Sequence, residues 1–328
     1  MALKLSSSTP EGMKIYPFDM GVKSGQHPLN ILFNDTSLYI LDCGKQFTFI
    51  NDIDGNLGDG RITVMSKSGS KVETMLTNSG AAFDDPFYGY IESGKLYFSD
   101  RNTGFATISL TERNKSFSRS EFPYYVQNAT LGYYGKGLSY GAMNACFGKI
   151  SNVWYWCKTF NGNGIFRFTD DDILKAPITG NGTPPTAGVA LDGMSPKSFV
   201  WDSKNNVIYF SIFDQGYGGL YRCTLDQLNA IKTFQDLTPY RCRLANGKML
   251  QPVVEAGKGE GSGGEFIGIC QLALDETDGC VYFGYRSSDP AIKSGLMRYN
   301  PAKGYVEPVI EGVEIYGVAI NKTPSKLF

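Results

Sequence analysis

Short apolar and aromatic runs, bounded by Gly, Asn, Asp and Ser, follow one another along almost the whole chain. Within each run the residues favour extended backbone, and at each boundary they favour turns. The rhythm has a larger unit. A first strand, a turn of about four residues and a second strand rich in Tyr and Phe recur. They do so as PLNILFNDTSLYILD (28–42), PFYGYIESGKLYFSD (86–100), AMNACFGKISNVWYWCK (142–158), PKSFVWDSKNNVIYFSI (196–212) and ICQLALDETDGCVYFGY (269–285). A sixth copy, IYGVAINKTPSKLF, ends the chain. Third strands follow as RITVMS (61–66), FATISL (105–110), GIFRFT (164–169), GLYRCT (219–224) and GLMRYN (295–300). Fourth strands follow more loosely as KVETML (71–76), SFSRSEF (116–122), YRCRL (240–244) and YVEPVI (305–310). The aligned aromatic falls at Tyr39, Tyr97, Tyr155, Tyr209, Tyr282 and Phe328.

Radial repetition of four-stranded antiparallel sheets is a β-propeller. The pattern predicts an all-β fold of six blades, as one domain over 1–328. The full blades are 28–76, 86–122, 142–192, 196–244 and 268–310, and the sixth keeps only two inner strands, 315–328. Its two outer strands are expected from residues 1–20, as ALKLSS and MKIYPFDM, which would close the ring and cover its edges. An open β-sandwich with the same hairpin rhythm is the competing architecture. Two acidic starts, TDDDILKAP (169–177) and TLDQLNAIKTF (224–234), predict short capped helices.

The blades resemble those of six-bladed propellers of the NHL and YWTD type. FVWDSKNNVIYFSIFDQGYGGLYRCTLD (199–226) follows the YWTD order of Asp, turn, Ile-Tyr-aromatic run, Gly and a basic residue. LALDETDGCVYFGY and GVAINKTPSKLF resemble the NHL-style first hairpin. YWTD itself is absent, YFSD at 97–100 being nearest, and Kelch and WD40 signatures are missing. The resemblance implies the propeller fold, which serves binding proteins and enzymes alike. Some six-bladed propellers of this kind are metal-dependent lactonases that hold a cation in the central channel.

Composition narrows the choice of function. Among 328 residues, 31 are basic and 32 acidic, so no charge footprint for nucleic acid exists. No apolar run approaches the ~18 residues of a membrane span. The N-terminus has no signal-peptide core, so the protein is cytosolic or the chain begins after a removed leader. Cys43, Cys146, Cys157, Cys223, Cys242, Cys270 and Cys280 lie mostly in apolar runs and read as buried thiols, with a Cys223–Cys242 pair open. A secreted or cell-surface protein whose leader has been removed is one expectation, and the apparently unpaired thiols fit an intracellular one.

Candidate chemistry follows from loop length. First-to-second turns are uniformly short, whereas 43–60, 123–141, 180–195, 246–267 and 286–294 are long and share the opposite face. Long loops on a rigid scaffold carry function, so a site is expected there. Tyr124, Tyr125, Tyr133, Tyr134 and Tyr140 offer rings that could stack on a sugar or a protein, or cover their own loop. Asp42, Asp100, Arg101, Lys158, Asp214, Tyr217, Tyr285 and Arg286 are expected to ring the same face. Asp52, Asp54, Asn56 and Asp59 resemble a calcium loop, but the EF-hand spacing fails. GKGEGSGGEF (257–266) lacks phosphate-loop order. His27 is the lone histidine, so zinc and a Ser-His-Asp triad are not expected. The leading expectation is a non-enzymatic module binding carbohydrate or a protein partner. A metal-dependent lactonase-like hydrolase is the second, with Asn30, Asn144 and Asn321 on first strands. A structural module of a larger assembly is the third.

Overall fold

The computed structural model describes residues 28–42, 60–67, 71–77, 86–100, 104–118, 121, 123–127, 143–159, 164–171, 188–212, 217–250, 268–287, 291–313 and 315–320. Five antiparallel sheets form in chain order. The first is β1 (Pro28–Phe33), β2 (Ser37–Asp42), β3 (Arg61–Ser66) and β4 (Val72–Thr77). The second is β5 (Pro86–Glu92), β6 (Lys95–Asp100), β7 (Gly104–Ser109) and β8 (Tyr124–Gln127). The third is β9 (Met143–Ile150), β10 (Val153–Thr159), β11 (Gly164–Phe168) and β12 (Gly188–Ala190). The fourth holds three strands, β13 (Pro196–Asp202), β14 (Val207–Ile212) and β15 (Gly219–Cys223). The fifth is β16 (Gly268–Leu274), β17 (Val281–Arg286), β18 (Gly295–Asn300) and β19 (Tyr305–Glu311).

Each sheet is a simple meander, with every strand bonded to the next in sequence. First strands pack in succession, β1 on β5, β5 on β9, β9 on β13 and β13 on β16. The fold is therefore a β-propeller with first strands innermost. Burial follows from that stacking. Every residue of β14 is buried, because sheets cover both of its faces, whereas outer β18 alternates buried and half-buried positions. The repeated aromatic is core: Tyr39, Tyr97, Tyr155 and Tyr209 are all buried. Tyr155, Tyr209 and Tyr282 stand opposite Arg167, Arg222 and Arg298, which accounts for the basic residue in the third strands of the third, fourth and fifth sheets.

The short turns have local causes. Ser93 and Gly94 both take positive φ (50° and 74°), the two-residue hairpin turn that glycine favours. Elsewhere a side chain closes the turn: Asn34 Oδ1 accepts from Ser37 N at 2.8 Å, and Asp202 Oδ1 from Asn205 N at 3.1 Å.

Some elements depart from expectation. The fourth strand of the second blade is Tyr124–Gln127 and not 116–122. Residues just before it are taken up by the first blade: Lys115 N donates to Met75 O and Thr77 N to Lys115 O, extending the edge of β4. Part of 180–195 is strand β12 and not loop. The helix expected in 224–234 forms as α1 (Leu225–Ala230), whose Thr224 and Gln227 cap each other reciprocally. A second single turn, α2 (Phe234–Leu237), is capped by Thr233. The helix expected at 169–177 begins at Asp170, and its remainder lies outside the described residues.

Residues 315–320 run between the fifth and first sheets. Gln271 N donates to Tyr316 O at 3.3 Å, and a Cβ on Gly317 would stand 3.0 Å from Leu29 O. This segment occupies the first-strand position expected of a closing blade, although it forms no regular ladder. The expected partners at 1–20 and 321–328 lie outside the described residues.

Candidate functional site

Every first hairpin breaks register near its long-loop end. The irregularity falls between Pro28 and Asn30, Pro86 and Gly89, Trp156 and Lys158, Pro196 and Ser198, and Ile269 and Leu272. A β-bulge re-aims the side chains beside it. Here it sends polar side chains sideways to the next blade. Asn30 Oδ1 accepts from Gly89 N at 3.1 Å, joining first and second blades. The Cys146 thiol donates to Phe199 O at 3.8 Å, joining third and fourth. Ser198 Oγ accepts from Leu272 N at 3.1 Å, joining fourth and fifth. Gln271 Oε1 accepts from Val318 N at 3.0 Å and Ile31 N at 3.4 Å, while its Nε2 donates to Ile31 O at 3.4 Å. These side-chain-to-backbone bonds form a belt that ties most neighbouring blades around the channel. It satisfies strand backbone that the bulges free.

Around this belt lies a cavity of about 470 Å³, bounded by first strands from all five sheets and by Val318–Ile320. It extends toward the short turns, where Asp35, Lys149 and Glu276 line it from three different blades. Lys149 sits in a charged, aromatic setting. Its Nζ lies 2.7 Å from Glu92 Oε2, 3.2 Å from Asp170 Oδ2 and 4.7 Å from the centre of the Trp154 ring. Trp154 is fully buried, and its Nε1 donates to Asp170 Oδ1 at 2.7 Å. Burial alone would lower the ammonium pKa, but the bonds to Glu92 and Asp170 outweigh it and hold Lys149 above its usual value. Two of its three donors are used, so the third remains for a ligand.

The described polar residues of the channel are largely committed to the protein's own backbone. Asn30, Ser198 and Gln271 already bond to neighbouring backbone, and among the described residues no three His, Cys, Asp or Glu come together. Of the asparagines on first strands, Asn30 is thus committed, Asn144 pairs with Lys158 in the strand ladder, and Asn321 lies outside the described residues.

The structure disperses the site residues expected at the long-loop end. Tyr124 and Tyr125 belong to strand β8 and not to a loop. Tyr285 is buried in the core among Ile292, Phe283 and their neighbours, so its ring presents no face to a ligand. Tyr217 stacks on Phe234 with ring centres 4.2 Å apart, covering α2. Asp42 is fully buried and its carboxylate meets Arg61 Nε at 3.3 Å. Arg286 ends β17, half-buried, and Asp100 and Lys158 lie within β6 and β10. Tyr133, Tyr134, Tyr140, Arg101, Asp214 and the calcium candidates Asp52, Asp54, Asn56 and Asp59 lie outside the described residues. Cys223 and Cys242 are free thiols: Cys242 N bonds Leu220 O, which sets Cys242 out of register with Cys223.

Sequence reasoning missed Lys149, Asp35 and Glu276. The one available signal was their shared place at first-strand ends, beside turns dismissed as too short to matter.

No protein-family description and no curated protein matches the chain. Solved structures do resemble it. A periplasmic gluconolactonase from Pseudomonas aeruginosa is 13% identical with a TM-score of 0.45, covering 86% of this chain and 70% of that one. A gluconolactonase from Xanthomonas campestris is 9% identical with a TM-score of 0.46, covering 89% and 87%. A luciferin-regenerating enzyme is 7% identical with a TM-score of 0.48, covering 89% and 78%. The leading expectation of a non-enzymatic module binding through exposed tyrosines is corrected: of the tyrosines expected at its site, Tyr285 is packed in the core and Tyr217 is stacked on Phe234, and neither offers an open face. The β-propeller fold itself rests on the stacked meander sheets described above.

Proposed function

We propose that the protein is a lactonase-like hydrolase, on blades of the NHL/YWTD-like type, acting on a small polar cyclic ester in the central channel. The observation that carries this reading is the cavity itself. It gathers one ammonium, Lys149, and two carboxylates, Asp35 and Glu276, from three separate blades. Its volume of about 470 Å³ suits a ligand of sugar size.

Ester hydrolysis needs a group to stabilise the developing oxyanion and a base to take a proton from water. Lys149 supplies the first, since its pKa stays high and one donor is free of the Glu92 and Asp170 bonds. Glu276 or Asp35 supplies the second. Water adds to the acyl carbon, its proton passes to the carboxylate, and the ring C–O bond breaks. The proton then returns to the departing alkoxide, giving an open hydroxy acid. No step is routed through a metal, because the described channel residues do not form a ligand set.

The test is hydrolysis of a panel of sugar lactones followed in a pH-stat, with and without a chelator. We expect turnover above the buffer rate that survives the chelator. It should fall tenfold or more in Lys149→Met and in Glu276→Gln or Asp35→Asn, with melting temperature recorded for each. No rate above buffer would refute hydrolysis. Activity that vanishes with chelator and ignores all three substitutions would place the chemistry elsewhere and refute this site.

A further inference from the structure

A second cavity, of about 460 Å³, lies between the fourth and fifth sheets, away from the channel. It is lined by Arg222, Arg241 and Arg243 together with Thr224, Tyr299 and neighbours, and no Asp or Glu is among its described lining residues. The arginines converge for a structural reason. Among the described residues the fourth sheet has three strands, and residues 241–244 run along the outer edge of β15. Cys242 N donates to Leu220 O on β15 and Val306 N to Arg243 O, both at 2.8 Å. This segment is therefore pinned to both sheets at once. It brings Arg241 and Arg243 up beside Arg222, the penultimate residue of β15.

The bonding of these arginines differs from that of Arg61, Arg113 and Arg298. Arg61, Arg113 and Arg298 each meet a carboxylate, those of Asp42, Glu73 and Glu307. Arg222 Nη1 instead donates to the Tyr299 hydroxyl at 3.1 Å, and Arg243 Nη1 to Gly247 O at 3.3 Å. Arg241 Nη2 donates to the carbonyls of Gly218 and Leu250. These neutral acceptors hold Arg222 and Arg243 in place, and among the described residues no carboxylate pairs with either. The nearest acidic residue in the adjoining strand, Glu307, is already engaged by Arg298 and Lys303. Both Arg222 and Arg243 are exposed at the cavity, so an incoming anion has access to them.

We propose that this pocket binds a small phosphate monoester, with Arg222 and Arg243 gripping the dianion and Arg241 behind them. Guanidinium forks match the paired oxygens of a phosphate, and each spends one donor on the protein. The inference does not rest on the hydrolase reading, and its test does not read activity.

The probe is inorganic phosphate, titrated calorimetrically into the full chain at constant ionic strength, with chloride as the competing salt. Saturable binding is expected. Its dissociation constant should rise about tenfold or more in Arg222→Gln and in Arg243→Gln, the loss of one charge-assisted bond each. Lys95→Gln, an exposed lysine on the second blade, should leave it unchanged. Melting temperatures without phosphate establish that each variant is folded. Titration that does not saturate, that chloride reproduces, or that Lys95→Gln weakens as much as Arg222→Gln would overturn the proposal.

Discussion

Gln271 is the side chain on which the closure of the described ring most depends, and Gln271→Leu tests it. Leucine is close to glutamine in volume and nearly isosteric along the stem, so the packing of β16 should change little. What is lost is bonding. Gln271 bonds Val318 N at 3.0 Å, and Ile31 N and Ile31 O at 3.4 Å each, and it is only 8% exposed. Leaving a buried backbone donor unpaired costs about 1–3 kcal/mol. The bond to Val318 carries most of that, and the two long bonds to Ile31 sit at the weak end. The sum is about 2–4 kcal/mol. At roughly 2 °C per kcal/mol for a chain of this size, the melting temperature should fall about 4–8 °C. Hydrogen exchange supplies a local readout. The amides of Ile31 and Val318 should lose protection, while those of β14, buried throughout, should keep it. A melting shift below about 1 °C, with exchange at both amides unchanged, would refute the reasoning. The belt would then not be what joins the fifth sheet to the first.

Two further predictions test the core and the backbone. Burial pushes the thiols of Cys223 and Cys242 up to about 12, from an ordinary value of 9.0. Both folded thiols therefore hold their protons where the unfolded chain would release them. Their contribution to stability is intact below pH 9 and is lost as pH rises toward 12. Native protein at pH 8 should react negligibly at these two sites with a thiol reagent and fully in denaturant, as peptide mapping would reveal; fast native labelling of either would contradict their burial. Gly219→Ala should destabilise by about 1–3 kcal/mol in a denaturant titration. Its φ is +150°, and an added Cβ would stand 2.9 Å from Leu250 O and 3.1 Å from Arg241 Nε. An unchanged midpoint would mean that this approach relaxes without cost.

The sequence by itself determined the strands, their order and the meander. Apolar runs such as VIYFSI are unbroken because a second strand is covered on both faces, and Asn34 and Asp202 at the turns announce the hairpins they close. The capped helix after β15 was legible in the same local way, from Thr224 and Gln227. Local signals failed where a residue's partner came from another blade. Period-two alternation tells which face of a sheet a side chain takes, but not what stands opposite it. Tyr285 and Asp42 looked like rim residues because each stands at or next to the end of a second strand. The neighbouring packing buries both. Residues 116–122 looked like a fourth strand, until the edge of the first blade claimed Lys115. The bulges left no mark in the residue pattern, and only they explain why Asn30, Ser198 and Gln271 reach the next blade and not a ligand. Lys149, Asp35 and Glu276 in the channel, and Arg222 and Arg243 between the fourth and fifth sheets, are likewise distant or unremarkable in sequence. Radial stacking decided their meeting, because it alone sets which blade faces which.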